Sequence, residues 1–218
     1  MLVGERMTRD PVVIHDDTPI DEAMKIMRDN KIRRLPVLNK KGALVGIVSE
    51  RDLLYASPSP ATSLSVYELH YLLSRIKVAD VMIKEVITVT KDTPLEEAAR
   101  IMADNKIGGL PVMSNGELVG IITETDLFKI FLELLGAREM GVRLAMLVPD
   151  EKGVLAKVTG KIAELGGNIV SLGTFLGEDP TNALLTIKVQ DVEEEDLMKA
   201  MEPLAMELVD VRMCEECR

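Results

Sequence analysis

Residues 18–37 read TPIDEAMKIMRDNKIRRLPV and residues 93–112 read TPLEEAARIMADNKIGGLPV, identical at 13 of 20 positions. Further along, 44–53 (LVGIVSERDL) realigns with 118–127 (LVGIITETDL) at 7 of 10 positions. Two stretches that match in the same order and at nearly the same spacing are a duplication of one structural unit of about 50 residues. Each copy opens with a Thr-Pro pair followed by an acid, Thr18-Pro19-x-Asp21 and Thr93-Pro94-x-Glu96. That order predicts a threonine N-cap, a proline at the first helical position and a helix beyond it. Ile20, Ala23, Met24 and Met27 then share one helical face, as do Leu95, Ala98, Ala99 and Met102. Past Asn30 and Asn105 come paired apolar runs, 35–38 with 44–48 and 110–113 with 118–122, around turns holding Gly42 and Gly116. These read as hairpins, after which Ser49 and Thr123 cap a second helix.

One such unit is too small to bury both faces of its sheet, so two copies are expected to pack on each other with pseudo-twofold symmetry and to leave clefts between them. The repeats span 1–53 and 78–135. The connection 54–77 carries all three tyrosines, and Val66, Leu69, Leu72 and Leu73 have helical spacing, so it is expected to be an ordered helix.

Composition narrows the function. The 218 residues are 47% hydrophobic, with 26 Lys and Arg against 36 Asp and Glu, a net charge of −10. An acidic chain of this kind argues against nucleic-acid polymers and anionic membranes, whose binding needs a cationic surface. Three Phe, three Tyr and no Trp leave little to stack on single-stranded bases, and 13 Met point to an aliphatic and thioether core. Both cysteines, Cys214 and Cys217, lie at the C-terminal end, so no disulfide framework is expected and a reducing cytoplasm fits. The first residues lack the order of a secretory signal, and no apolar run is long enough to span a bilayer.

The paired T-P-x-x-E-A, K-I-x-x-L-P-V and L-V-G-I-[VI]-[ST]-E-x-D-L motifs resemble a tandem CBS-domain pair, the Bateman module, over nearly all of 1–135. The resemblance implies a regulatory module that holds adenosine-containing ligands in its clefts: AMP, ADP, ATP, S-adenosylmethionine or a dinucleotide.

Ser49-x-x-Asp52 and Thr123-x-x-Asp126 stand at helix starts directly after apolar strands. A helix N-terminus favours anions, a hydroxyl can donate to phosphate, and a carboxylate can accept from both ribose hydroxyls. The same four residues also fit simple capping boxes, which need no ligand. Arg33 and Arg34 are replaced by Gly108 and Gly109 in the second copy, and Arg51 by Thr125, so the copies are not equivalent and the basic phosphate contacts concentrate in the first. A solvated basic edge is the plainer account of the same arginines. By the family resemblance, adenine would lie against backbone and aliphatic walls near Val12-Val13 and Ile87-Thr88.

From residue 140 the pattern changes. A strand over 142–148, a helix over 154–165 with Leu155, Val158, Ile162 and Leu165 on one face, strands over 169–175 and 183–189, a helix over 193–201 and a strand over 207–211 give the order βαββαβ, a ferredoxin-like plan. The quoted D-E-K-G-V-L and E-L-G-G-N-I resemble the ACT domain over 140–213, although Lys152 stands where that family commonly has proline. The resemblance implies Asp150, Gly153 and Asn168 as an amino-acid site, while turn and strand-start roles account for the same residues; self-association through this domain is the stronger expectation. Residues 214–218 are expected to be a tail with free thiols, since a lone C-x-x-C lacks the four ligands zinc needs. His15 and His70 are read as surface or packed residues.

The order CBS–CBS–ACT resembles the acetoin-utilisation B-type regulatory proteins. The expectation is a mixed α+β, non-enzymatic, homodimeric sensor that needs no cofactor or metal and answers to an unidentified target protein. A ligand-free dimeric scaffold and, behind it, a metal-dependent phosphate-transferring enzyme are the alternatives. The enzyme lacks a P-loop, a nucleophile beside a base and clustered metal ligands.

Overall fold

The computed structural model describes residues 1–57, 73 and 75–214. The chain divides into two compact units, Met1–Leu127 and Phe128–Arg218. Among the described residues no helix is long and apolar enough to cross a membrane. The expected helix over the connection falls mainly on 58–72, with Val66, Tyr67, His70 and Leu72, and lies outside the described residues, as does Cys217. Leu73 is helical and buried in the first copy's core.

In the first unit each copy supplies a helix, a hairpin and a second helix. These are α2 (Ile20–Asp29), β3 (Arg34–Leu38), β4 (Leu44–Ser49) and α3 (Glu50–Ala56). Their counterparts are α5 (Leu95–Asn105), β6 (Gly109–Ser114), β7 (Glu117–Thr123) and α6 (Glu124–Leu134), whose first turn alone falls within this unit. Short parallel strands β2 (Ile14–His15) and β5 (Val89–Thr90) flank β3 and β6. The helical faces read from sequence are the buried ones: Ile20, Ala23 and Met27 in one copy, Leu95, Ala98 and Met102 in the other.

The helix starts differ from expectation. Thr18 Oγ1 accepts from the His15 amide at 3.2 Å and Thr93 Oγ1 from the Thr90 amide at 3.1 Å, so both hydroxyls close the preceding turn. The prolines hold the cap position without a side-chain bond. The first helical amides are satisfied from elsewhere in the unit: Ile20 donates to the Ile76 carbonyl at 3.0 Å and Leu95 to the Met1 carbonyl at 3.2 Å. A cap donor is unnecessary where the orphan amide already has a tertiary partner.

Those bonds belong to a reciprocal exchange. α1 (Val3–Arg6) docks on the second copy through Val3 N to Thr93 O and Gly4 N to Lys91 O, both 2.9 Å. β1 (Thr8–Arg9) then joins the edge of β7, giving the order β1-β7-β6-β5. Seventy-five residues on, α4 (Val78–Val81) docks on the first copy through Val78 N to Thr18 O and Ala79 N to Asp16 O, and Ile83 bridges Ile47 on β4. Val78 is fully buried in the first copy's core. Each copy's leading segment therefore completes the other copy's sheet edge, and the sequential repeats do not coincide with the spatial halves. An unpaired edge strand and an uncovered apolar end are what the exchange removes.

The second unit is a four-stranded antiparallel sheet ordered β11-β8-β10-β9. It is built from β8 (Gly141–Pro149), β9 (Asn168–Leu176), β10 (Asn182–Gln190) and β11 (Glu207–Cys214), with α7 (Val154–Glu164) and α8 (Glu194–Met201) between strands. Val142, Leu144, Met146, Leu185 and Ile187 pack with Val158, Ile162, Leu197 and Met201. The expected α7 face is half right: Val158 and Ile162 are buried with Val154 beside them, while Leu155 and Leu165 are exposed, because the buried stripe follows i, i+4, i+8 from Val154. The expected tail starts later than 214, since Cys214 pairs with Gly141 as the last residue of β11. On the sheet's opposite face, buried Lys188 donates from Nζ to the carbonyls of Gly136 (2.8 Å) and Glu139 (3.0 Å), fixing the segment after α6.

Candidate functional site

At both strand-to-helix junctions a carboxylate closes back on the cap residue, and at α3 the capping box is complete. At α3 the Ser49 amide and hydroxyl donate to Asp52 Oδ2 at 2.8 and 2.6 Å, and the Asp52 amide donates to Ser49 Oγ at 3.3 Å. At α6 the Thr123 amide and hydroxyl donate to Asp126 Oδ2 at 3.0 and 2.7 Å. The first helical amides are taken as well, Glu50 N by Arg33 O at 2.9 Å and Glu124 N by Gly108 O at 3.1 Å. Each helix terminus is thus largely self-satisfied, and attraction for an anion must come from cationic side chains nearby. Asp52 Oδ1 accepts no hydrogen bond from the described residues, which leaves a carboxylate oxygen for a donor such as a hydroxyl.

Two clefts, both inside the first unit, contain these boxes. The larger, about 570 Å³, is lined by Ser49, Arg51 and Asp52 of α3 and its cap, by Ile83, Glu85, Val86 and Ile87, and by Lys106, Ile107, Gly108 and Gly109 of the second copy. The smaller, about 270 Å³, is lined by Thr123 and Asp126, by Thr8, Asp10, Pro11 and Val12, and by Lys31, Ile32, Arg33 and Arg34 of the first copy. Each box therefore faces the segment that the exchange delivers, together with the helix-to-strand turn of the other copy.

The structure brings Arg33, Arg34, Ser49, Arg51, Asp52 and Ile87 to the larger cleft, and Val12, Arg33, Arg34, Thr123 and Asp126 to the smaller. Val13 and Thr88 line neither. Arg33 and Arg34 line both clefts, while Arg51 lines only the larger, so two of the three arginines that sequence assigned to the first copy stand at both. Their glycine counterparts have a spatial reason. A Cβ on Gly108 would overlap the Arg34 guanidinium and one on Gly109 would lie 3.2 Å from Arg34 Cδ. The arginine of one copy is seated on the glycines of the other, and a side chain at Gly108 would displace its guanidinium. Arg34 Nη2 also reaches Glu124 Oε2 at 3.4 Å.

Among the lining residues that sequence reasoning missed are Lys31, Lys106 and Tyr55. Lys31 and Lys106 occupy left-handed turns, both at φ 54°, and line the smaller and larger cleft respectively. The identical Asn-Lys-Ile after each first helix was the available signal. Tyr55 lines the larger cleft, accepts from Arg51 Nη2 at 3.0 Å and carries the Arg51 guanidinium 5.2 Å from its ring centre. The hydrogen bond to Tyr55 is the leading cause that raises the Arg51 pKa above its ordinary value. Spacing of i, i+4 on one helix could have linked the two.

In the second unit the three carried-over residues do not meet. Asp150 follows Pro149, which pairs with Asn182 at one end of β10, and Gly153 caps α7 at that same end. Asn168 pairs with Gln190 at the other end, eight residues along the strand. At about 3.3 Å per residue that is roughly 26 Å, so one chain cannot close a single small-ligand site around all three. The Asp150 amide is already donated to Thr181 O at 2.8 Å, and Asn168 Nδ2 approaches Gln190 Oε1 at 3.4 Å. Among the described residues no cluster of His, Cys, Asp and Glu has the arrangement of a metal site.

A duplicated strand-helix unit with reciprocal leading segments and two symmetry-related capped clefts defines a paired ligand-cleft module, followed here by a ferredoxin-like unit. The CBS domain family matches residues 3–59 and 78–133, and the ACT domain of the AHAS small subunit-like type matches 144–212. The chain belongs to the CBS domain family, as a tandem pair with a C-terminal ACT-like domain. A CBS domain-containing protein of Dictyostelium discoideum is 35% identical over 136 residues, covering 62% of this chain and 94% of that one. A Vibrio cholerae protein assigned to acetoin utilization (AcuB) is similar in structure with a TM-score of 0.52 and 34% identity, over 64% of this chain and 96% of that one. The CBS domain pair of protein MJ0100, solved in complex with 5-methylthioadenosine and S-adenosyl-L-methionine, gives a TM-score of 0.50 and 28% identity over 60% of this chain and 95% of that one.

Proposed function

We propose that this chain is a non-enzymatic regulatory sensor whose two clefts bind adenosine-containing small molecules, AMP, ADP, ATP or S-adenosylmethionine. The observation that carries the reading is that each cleft sets a helix-start carboxylate beside a cluster of cations, Asp52 with Arg33, Arg34, Arg51 and Lys106 and Asp126 with Lys31, Arg33 and Arg34, in a chain whose net charge is −10. Asp52 and Asp126 accept from the ribose hydroxyls, while Ser49 and Thr123 orient those carboxylates. Arg33, Arg34 and, in the larger cleft, Arg51 and Lys106 take the phosphates. Val12 and Ile87 wall the adenine, with Val13 and Thr88 supporting them through the backbone. The MJ0100 complex supports the ligand class.

A ligand acts by binding two arrangements of the protein unequally, and the arrangement is read by a target protein. The ACT-like unit serves self-association: β9 is an edge strand of the described sheet and ends in Phe175 and Leu176, the latter 97% exposed. Amino-acid binding is retained for the Asp150–Gly153 turn, with Asn168 contributed by a second copy. We place the homodimer in a reducing cytoplasm.

The closed junctions favour one rival, a dimeric scaffold with empty clefts, because each is satisfied without a ligand. A thermal-shift panel of AMP, ADP, ATP, S-adenosylmethionine, NAD and amino acids separates the two, with nucleotide turnover assayed in parallel. Saturation at 100 times the dissociation constant stabilises by about 2.7 kcal/mol. A flat panel establishes the scaffold, and turnover establishes an enzyme.

A further inference from the structure

The asymmetry between the repeats places one cation where two anions would need it. Arg34 is a residue of the first copy, yet its stem lies against Gly109 and its guanidinium against Gly108 of the second. It lines both clefts, and its side chain is 23% exposed. Its counterpart across the pseudo-twofold is Gly109, so no second guanidinium is available from that position. Its carboxylate partner, Glu124, is the first residue of α6, directly after the Thr123 that caps the smaller cleft. At 3.4 Å with a half-exposed glutamate, the pair is longer than the usual charge-assisted bond, and a phosphate can displace it.

We infer that Arg34 couples the two clefts antagonistically: a phosphate-bearing ligand in one draws the guanidinium to itself and weakens binding of a phosphate-bearing ligand in the other. This rests on the nucleotide reading above. The direction follows from charge. The first anion takes the central cation, and the second must then enter with that cation engaged and a new negative charge nearby. Linkage makes the effect reciprocal, so filling either cleft first costs the other the same factor. Arg33 also lines both clefts but is exposed, whereas the atoms of Arg34 are the nearest to Gly108 and Gly109; Arg34 is the side chain anchored between the copies.

The test is calorimetric titration of the full chain with AMP, ADP and ATP, beside Asp52→Ala and Asp126→Ala, each of which leaves one cleft to report its affinity alone. The expected result is a second binding step at least about five-fold weaker than the same cleft shows in isolation. The gap closes in Arg34→Gly, which copies the second repeat. Arg34→Met, which keeps the stem over Gly109, gives the same closure if the glycine variant does not fold. Two steps at their isolated affinities in the wild type, or a gap that persists without the Arg34 charge, overturns the coupling and leaves nucleotide binding intact. Absence of any binding to the wild type overturns both.

Discussion

On the nucleotide reading, Asp52 and Asp126 each combine a cap with a ligand contact, and two measurements on one substitution tell them apart. Asp52 Oδ2 caps α3 while Oδ1 is left for a ligand. Asp52→Ala removes both, costing about 1 kcal/mol of stability through the lost cap. It also lowers affinity at the larger cleft by about ten- to a hundred-fold, the worth of a charge-assisted hydrogen bond. Denaturant melts read the first effect and calorimetry the second, and a variant with the stability loss but unchanged affinity sinks the ribose assignment. The S-x-x-D and T-x-x-D spacing was legible in the sequence. That the hydroxyl proton of each cap is committed to its own carboxylate was not, because it depends on a side-chain geometry closed over one helical turn. Gly108 teaches the complementary lesson. Its absence of a side chain looked like a missing arginine, whereas it is the seat of one already present, delivered by the other copy. Gly108→Ala should therefore push the Arg34–Glu124 ion pair aside, and because both are flexible ends that are partly exposed the loss should stay below about 1 kcal/mol. Arg34→Gly should recover most of that loss in a double-mutant cycle read by denaturant melts.

Helices and strands of the second unit were nearly all readable from period and turn signals, yet the contacts that lock them were not. Lys188 is 4% exposed and satisfies two carbonyls in the segment after α6. Lys188→Met leaves those carbonyls unpaired and should cost about 1–3 kcal/mol per orphaned group, measured by denaturant melts. In sequence it was one charge in an alternating strand, and nothing local announced its burial. On β11, Asp210 bonds to Arg212 and Arg143. Its pKa is held below the ordinary 3.8, first by the hydrogen bond from Arg212 and then by the charges of Arg212 and Arg143. A lowered carboxylate pKa means that the unfolded chain binds the proton more tightly, so the stabilisation is complete above about pH 4 and is lost as pH falls through the lower folded value. Asp210→Asn should be less stable than wild type at pH 7, with the difference shrinking as pH falls below the ordinary 3.8.

The first unit's integrity depends on segments far apart in the chain. Since β1 closes the edge of β7 and Val3 and Gly4 bond to the 91–93 turn, removing residues 1–9 should deprotect the second copy in hydrogen exchange before the first. Loss of protection starting in α2 and β3 would contradict the exchange. The same removal takes Thr8 out of the smaller cleft and leaves the larger cleft's walls in place, so nucleotide stoichiometry should fall from two to one.

The duplication, the helix and hairpin order, the ferredoxin-like plan and the two S-x-x-D and T-x-x-D boxes are local or repeated patterns, and periodicity and spacing carry such patterns in one dimension. Partnership is different. Which leading segment serves which copy, why two arginines answer two glycines, and why Asp150 and Asn168 stand at opposite ends of a strand all depend on which surfaces meet. Excluded volume and the pairing of strand edges decide that in three dimensions, and neither leaves a mark within any single stretch of chain.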